Sequence, residues 1–285
     1  MGKIRKVLVC AILIFIILFN NNCSSTKSSN DINFVSKTIK LINYGYNQDN
    51  GYFDFYTKNS ASDIQDTWFA LQIISDLKIN SNFINKNELI KFINKNINNS
   101  NIIQISYIID ILNYMNDIKD RDNIINRLML SNYINDNANN NYSRIVKNVF
   151  ILKSLLYKKN DYINDISKIQ KYLKSSITDI IVQSNFDELY LTLNVLNESG
   201  VDLKNIPEET NIINICNKEL KRIKTDKNID LTKIYYIGNV LNIFGVKNDF
   251  DTNRVLRLQN GDGGFKMTDN EPSTLFATYY AIKIL

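Results

Sequence analysis

The chain has 285 residues, 34 Lys and Arg against 29 Asp and Glu, a formal net charge of +5 and no histidine. Without histidine neither a Ser-His-Asp nor a Cys-His nucleophile can be built, and the common histidine-containing zinc sites are excluded. Two prolines and nine glycines leave few helix breakers, so the composition points to an all-α chain.

The chain opens with Lys3, Arg5 and Lys6, then an apolar run from Val7 to Phe19 that carries no charge. That run is short for a membrane span, which needs roughly 20 residues. Charged start, short apolar core and polar exit read as an export signal over 1–22. Cys23 follows, and 23–30 form a Ser-rich polar tether. A Cys directly after an apolar core resembles a bacterial lipoprotein processing site, with Asn22 and Asn20 where such sites usually carry a small residue and Leu. The resemblance implies lipid attachment at Cys23 and a place on the outer face of the cytoplasmic membrane. A retained N-terminal anchor and plain secretion are the other readings. Loss of residues 1–22 removes three bases and no acid, which lowers the formal charge from +5 to +2. No basic run with interleaved aromatics remains, so nucleic acid is not an expected partner.

Residues 31–285 read as one domain in which two kinds of helical segment alternate. Charged amphipathic segments are expected over 32–42, 89–97, 124–130, 163–173, 212–223 and 249–258. Apolar residues recur there at three- and four-residue intervals, as in Leu89, Phe92, Ile93 and Ile97. Apolar, aromatic segments follow each of them, over 67–77, 103–115, 145–156, 189–196, 234–244 and 276–285. Their starts are about 40 residues apart, a period of stacked helix pairs. An aromatic recurs at a similar place in these segments: Trp68, Tyr107, Phe150, Tyr190, Tyr235 and Tyr279. Such rings either wedge neighbouring helices apart with their hydroxyls bonded at the rim, or line a cavity. Trp68, Tyr107, Tyr190, Tyr235 and Tyr279 are the candidate ligand-binding residues. Cys216 lies in the apolar run 212–216 and reads as a buried, inert thiol.

Two turns repeat. Gln48-Asp49-Asn50-Gly51-Tyr52-Phe53 precedes Thr67-Trp68-Phe69-Ala70, and Gln259 with Asp262-Gly263-Gly264-Phe265 precedes Ser273 and Thr278-Tyr279-Tyr280-Ala281. The second copy, and more loosely the first, resembles the repeat of protein prenyltransferase β-subunits and squalene-hopene-type cyclases. That resemblance implies an α/α toroid of about six outer and six inner helices around a cavity. Prenyltransferases and the lanthionine-forming cyclases that share the toroid hold zinc with histidine among the ligands, so neither activity is available here. No cofactor or metal is expected.

Asp63-Ile64-Gln65-Asp66-Thr67 looks like the D-x-D-D-T motif of class II terpene cyclases, whose middle Asp is the general acid. Gln65 stands at that position, and a primary amide has no proton of useful strength to give. The competing reading is a helix start, with Ser62 and Gln65 forming a capping box and Asp63 and Asp66 in the first turn. Ser184 with Asp187 and Glu188, and Asp230 before Leu231, repeat the pattern. In a ring of parallel inner helices these starts would gather at one mouth, which makes Asp63, Asp66, Asp187 and Glu188 the candidate catalytic residues. Paired carboxylates of that kind would suit a glycoside hydrolase. The leading expectation is a lipid-anchored protein that binds a hydrophobic or carbohydrate ligand or a protein partner. The alternative is an enzyme, either a divergent isoprenoid cyclase or a carboxylate-dependent glycosidase.

Overall fold

The computed structural model describes residues 29–54, 60–130, 143–204, 206–226, 229–268 and 271–285. Residues 1–22, read from the sequence as an export signal, and Cys23 lie outside the described residues. The fold is all-α, with a pair of two-residue strands. In chain order the helices are α1 (Ser29–Gly45), α2 (Ser60–Asp76), α3 (Lys86–Asn96), α4 (Ile102–Tyr114), α5 (Ile118–Leu130) and α6 (Arg144–Leu155). They continue as α7 (Ile163–Gln183), α8 (Phe186–Glu198), α9 (Glu209–Thr225), α10 (Leu231–Ile243), α11 (Thr252–Leu256) and α12 (Leu275–Ile284). Strands β1 (Tyr46–Asn47) and β2 (Tyr52–Phe53) pair antiparallel between α1 and α2. Among the described residues no helix is long and apolar enough to cross a membrane.

Odd- and even-numbered helices differ in how much surface they bury, and sequence pattern is the reason. On α7 the buried positions Ile166, Ile169, Leu173, Ile177 and Ile180 form one stripe at helical spacing, and on α9 Ile212, Cys216, Leu220 and Ile223 do the same. Such a helix has one wet face. On α4 and α10 consecutive positions are buried, Ile108 to Leu112 and Ile234 to Gly238, so these helices are covered nearly all round. The even helices pack in succession, α2 on α4, α4 on α6, α6 on α8, α8 on α10 and α10 on α12. Helix α12 then packs on α2, so the order of contacts returns to its start. Of the odd helices, α5 packs on α4, α7 on α6 and α8, α9 on α10, and α11 on α12.

The two sequence turns carry the same internal bond. The Phe53 backbone N–H donates to Thr67 Oγ1 at 3.0 Å, and the Phe265 N–H donates to Thr278 Oγ1 at 2.9 Å. Each Thr thereby fastens an even helix to the turn that precedes it. Both turns also place a left-handed glycine against another helix. Gly51 has φ +72°, and a Cβ there would meet the Glu88 carbonyl carbon on α3 at 2.3 Å. Gly263 has φ +96°, and a Cβ there would meet the Lys37 carbonyl oxygen on α1 at 2.2 Å. The first turn is thus seated on α3, and the last turn on α1.

Helix starts depart from expectation at two places. Helix α2 begins at Ser60, so Ser62 lies inside it and not at its N-cap position; Asp63 does fall in the first turn, but Asp66 lies beyond it because the helix starts earlier than the capping box implied. Asn185, not Ser184, caps α8, accepting from the Glu188 N–H at 3.2 Å, while Ser184 ends α7 in the left-handed conformation. Asp230 caps α10 as its position suggested, accepting from the Lys233 N–H at 3.1 Å. At α12 the cap is Thr274, which accepts from the Ala277 N–H, and Ser273 before it donates to Asp262 at 2.8 Å.

Candidate ligand-binding cavity

One cavity of about 890 Å³ is lined by side chains from all six even helices. The contributions come mostly from their middle and C-terminal turns: Gln72 from α2, Asn113 from α4, Lys153 from α6, Glu198 from α8, Asn239 from α10 and Lys283 from α12. The volume lies within the range of about 300–1,000 Å³ usual for small-molecule sites.

The six recurring aromatics all line it and touch one another in an unbroken series. Tyr107 meets Phe150 with ring centroids 6.1 Å apart and stacks on Trp68 at 4.6 Å. Trp68 meets Tyr279 at 5.5 Å, Tyr279 meets Tyr235 at 6.2 Å, and Tyr235 meets Tyr190 at 5.3 Å. Each even helix supplies one ring, and the series runs from Phe150 on α6 round to Tyr190 on α8. Both readings of these residues therefore hold at once: the rings wedge the helices and also face the cavity. Hydroxyls pair in the belt and beside it, where Tyr236 and Tyr280 also line the cavity. Tyr190 and Tyr235 share a hydrogen bond of 3.0 Å, and Tyr236 and Tyr280 one of 2.7 Å. Burial, and then the neighbouring phenols, push the pKa of Tyr190, Tyr279 and Tyr280 well above the usual range. Burial takes Tyr236 up to about 12. These phenols stay neutral and remain donors at physiological pH.

A charged cluster stands beside the belt. Asp110 on α4 is only 7 % exposed. It accepts from Trp68 Nε1 at 2.8 Å and Lys153 Nζ at 2.6 Å on one oxygen, and from the Tyr157 hydroxyl at 2.9 Å on the other. Lys153 also lies 5.3 Å from the centre of the Trp68 ring. Burial and the Asp110 charge raise the Tyr157 pKa beyond the ordinary phenol range. Lys283 pairs with Asp76 at 2.8 Å and lies over Tyr279. Sequence reasoning missed Asp110, Lys153 and Tyr157. The available signal was Asp110 itself, a lone acid among the isoleucines of α4, since a carboxylate is almost never buried unless paired.

The candidate catalytic carboxylates lie elsewhere. None of Asp63, Asp66, Asp187 and Glu188 lines the cavity, and neither does Gln65. Asp63 is 6 % exposed, and its Oδ1 has no partner among the described residues. Burial, and then the charge of Asp54, lift its pKa to about 6. Asp187 is exposed at the start of α8; partial desolvation and then Asp230 raise its pKa, while Lys233 opposes. Glu188 accepts the hydroxyl of Ser143, the N-cap of α6. The structure thus groups Asp187 with Asp230 and Glu188, and Asp63 with Asp54. The carboxylates that do line the cavity are Asp110 and Glu198. Among the described residues no three His, Cys, Asp or Glu side chains gather as a metal site would need.

Comparison of the chain with protein-family models, with curated proteins and with solved structures finds no match.

Proposed function

We propose that the six helix pairs form an α/α toroid of the prenyltransferase and squalene-hopene cyclase type, and that the protein binds a ligand in its central cavity. The closed order of contacts among the even helices supports the toroid, as does the seating of the last turn on α1. One observation carries the binding reading: all six even helices contribute to a single cavity with a continuous aromatic belt. In this reading Cys23 carries the lipid anchor and holds the domain on the outer face of the cytoplasmic membrane.

Terpene cyclisation does not fit. The general-acid position is Gln65, and it and its flanking acids lie off the cavity lining. A carboxylate-dependent hydrolase fits little better. Such an enzyme needs an acid free to give a proton and a second carboxylate free to act on water or the sugar. Three donors engage both oxygens of Asp110, which makes it a structural anchor for Trp68, Lys153 and Tyr157.

The test is extraction of ligand from the purified full-length protein, analysed by mass spectrometry beside Leu191→Trp. Leu191 lines the cavity, so an indole there intrudes on it and narrows the space left for a ligand. A compound recovered from the native protein and lost from a folded Leu191→Trp variant is the expected result. No compound from either, or equal amounts from both, would remove the reading.

A further inference from the structure

Resting on that reading, we infer that the ligand is a neutral, polyhydroxylated molecule, an oligosaccharide in chemical class, and not an isoprenoid hydrocarbon or its diphosphate. Charge is the first argument. The lining contains two acids, Asp110 and Glu198, and two bases, Lys153 and Lys283. Lys153 is held by Asp110, and Lys283 by Asp76. Phosphates and carboxylates are gripped by cations whose hydrogen bonds are free to meet them. Each of these lysines already has its charge balanced by a carboxylate, and Glu198 would repel an anion.

The second argument is the polar part of the lining, one helical turn past the belt rings Trp68, Tyr190 and Tyr235. Gln72, Asn194 and Asn239 are half-buried carboxamides from three different helices. The Asn194 amide donates to Glu198 at 2.8 Å, and the Asn239 amide donates to the Tyr235 carbonyl at 2.8 Å. One N–H of each is committed in this way, which fixes the orientation of the amide while its carbonyl oxygen keeps acceptor capacity. Acceptors of that kind call for hydroxyl donors. A hydrocarbon seated on them would strip their water and return no hydrogen bond, a net penalty for binding. Sugar hydroxyls would replace the water bond for bond. The paired hydroxyls of Tyr190 and Tyr235 add capacity within the belt itself. The belt beneath offers ring edges and faces to the C–H surface of a pyranose, the amphipathic contact that Tyr and Trp make well.

Trp68 is the only tryptophan of the chain and lines the cavity, so its emission reports occupancy. The experiment titrates the full-length protein with glucose, mannose, xylose and N-acetylglucosamine oligosaccharides, and with farnesol and farnesyl diphosphate, read by Trp68 fluorescence and by calorimetry. The expected result is saturable binding of at least one oligosaccharide and none of the isoprenoids. Asn194→Ala and Asn239→Ala should each weaken it about tenfold, with the fold checked by circular dichroism. Gln72→Ala takes their place if either variant misfolds. Saturation by farnesol or its diphosphate without any sugar binding would overturn this inference and leave the cavity-binding reading intact. Sugar binding that survives the amide variants unchanged lies outside the cavity and also overturns it. So does silence to every probe, after which ligand extraction alone decides the broader reading.

Discussion

The hydroxyl of Thr38, on the first helix, donates to the carbonyl oxygen of Gly263, in the last turn, at 3.0 Å across 225 positions of the chain. The side-chain amide of Gln259 adds a second tie, donating to the same Gly263 oxygen at 3.0 Å and to the Phe34 carbonyl at 3.3 Å. Phe34 in turn meets the Phe265 ring edge-on, with centroids 6.4 Å apart. The first helix and the last turn are therefore joined by specific bonds around a glycine that admits no side chain.

Gly263→Ala should test that junction. The new methyl would sit 2.2 Å from the Lys37 carbonyl oxygen, on a backbone with φ +96°. Strain of this kind costs on the order of 1–3 kcal/mol before the clash is added. Gly261→Ala is the control, because nothing lies within 4 Å of its Cβ position. Urea denaturation should show a loss of at least about 2 kcal/mol for the first and less than about 0.5 kcal/mol for the second. Equal stability of the two would mean that the last turn is not held against α1.

Asp110 is expected to be structural. Asp110→Asn leaves Lys153 without its counter-ion, and breaking a buried pair from one side costs about 3–5 kcal/mol. Lys153 is 28 % exposed, so the lower end applies. The double variant Asp110→Asn with Lys153→Met should recover part of that loss. A double-mutant cycle by chemical denaturation measures the coupling, and additive losses would show that the two side chains act independently.

Asp63 predicts a pH dependence with a definite sign. Its folded pKa is about 6, above the unfolded value of about 4. The folded state therefore holds the proton more tightly, and this carboxyl costs stability as pH rises from about 4 to 6. Asp63→Asn should be more stable than the native protein at pH 7, with the gain fading towards pH 4. Denaturation curves of both proteins across that window decide it; a gain that is constant with pH would assign the effect to something other than titration.

Cys216 should be unreactive in the folded protein. It is 0 % exposed, and burial pushes its thiol up to about 12, while alkylation needs an accessible thiolate. Iodoacetamide at pH 8 should leave the Cys216 peptide unmodified in native protein and label it fully in guanidinium. Rapid labelling under native conditions would reveal local opening of α9.

The anchor is tested at Cys23. Cys23→Ala should release the protein from the membrane fraction and abolish its labelling with a radioactive fatty acid. Retention of the variant in membranes at unchanged mass would assign anchoring to residues 7–19.

Helix type and order were legible in the chain because they follow from local periodicity. The one-faced stripe of Ile212, Cys216, Leu220 and Ile223 and the covered run from Ile108 to Leu112 are written in residue spacing, and packing preserved both. The paired turns were legible for a related reason: Phe53 with Thr67 and Phe265 with Thr278 recur at nearly one interval because each Thr receives the preceding turn's N–H. The recurring aromatics could be picked out by position, but their contact around one cavity depends on how six helices pack together. Asp110, Lys153 and Tyr157 come from two segments more than forty residues apart, and no local pattern links them. The carboxylates Asp63 and Asp187 misled for the converse reason. Acids at helix starts answer to the local dipole and caps, whereas a cavity's lining is set by where distant helices converge, here mostly along their middle and C-terminal turns.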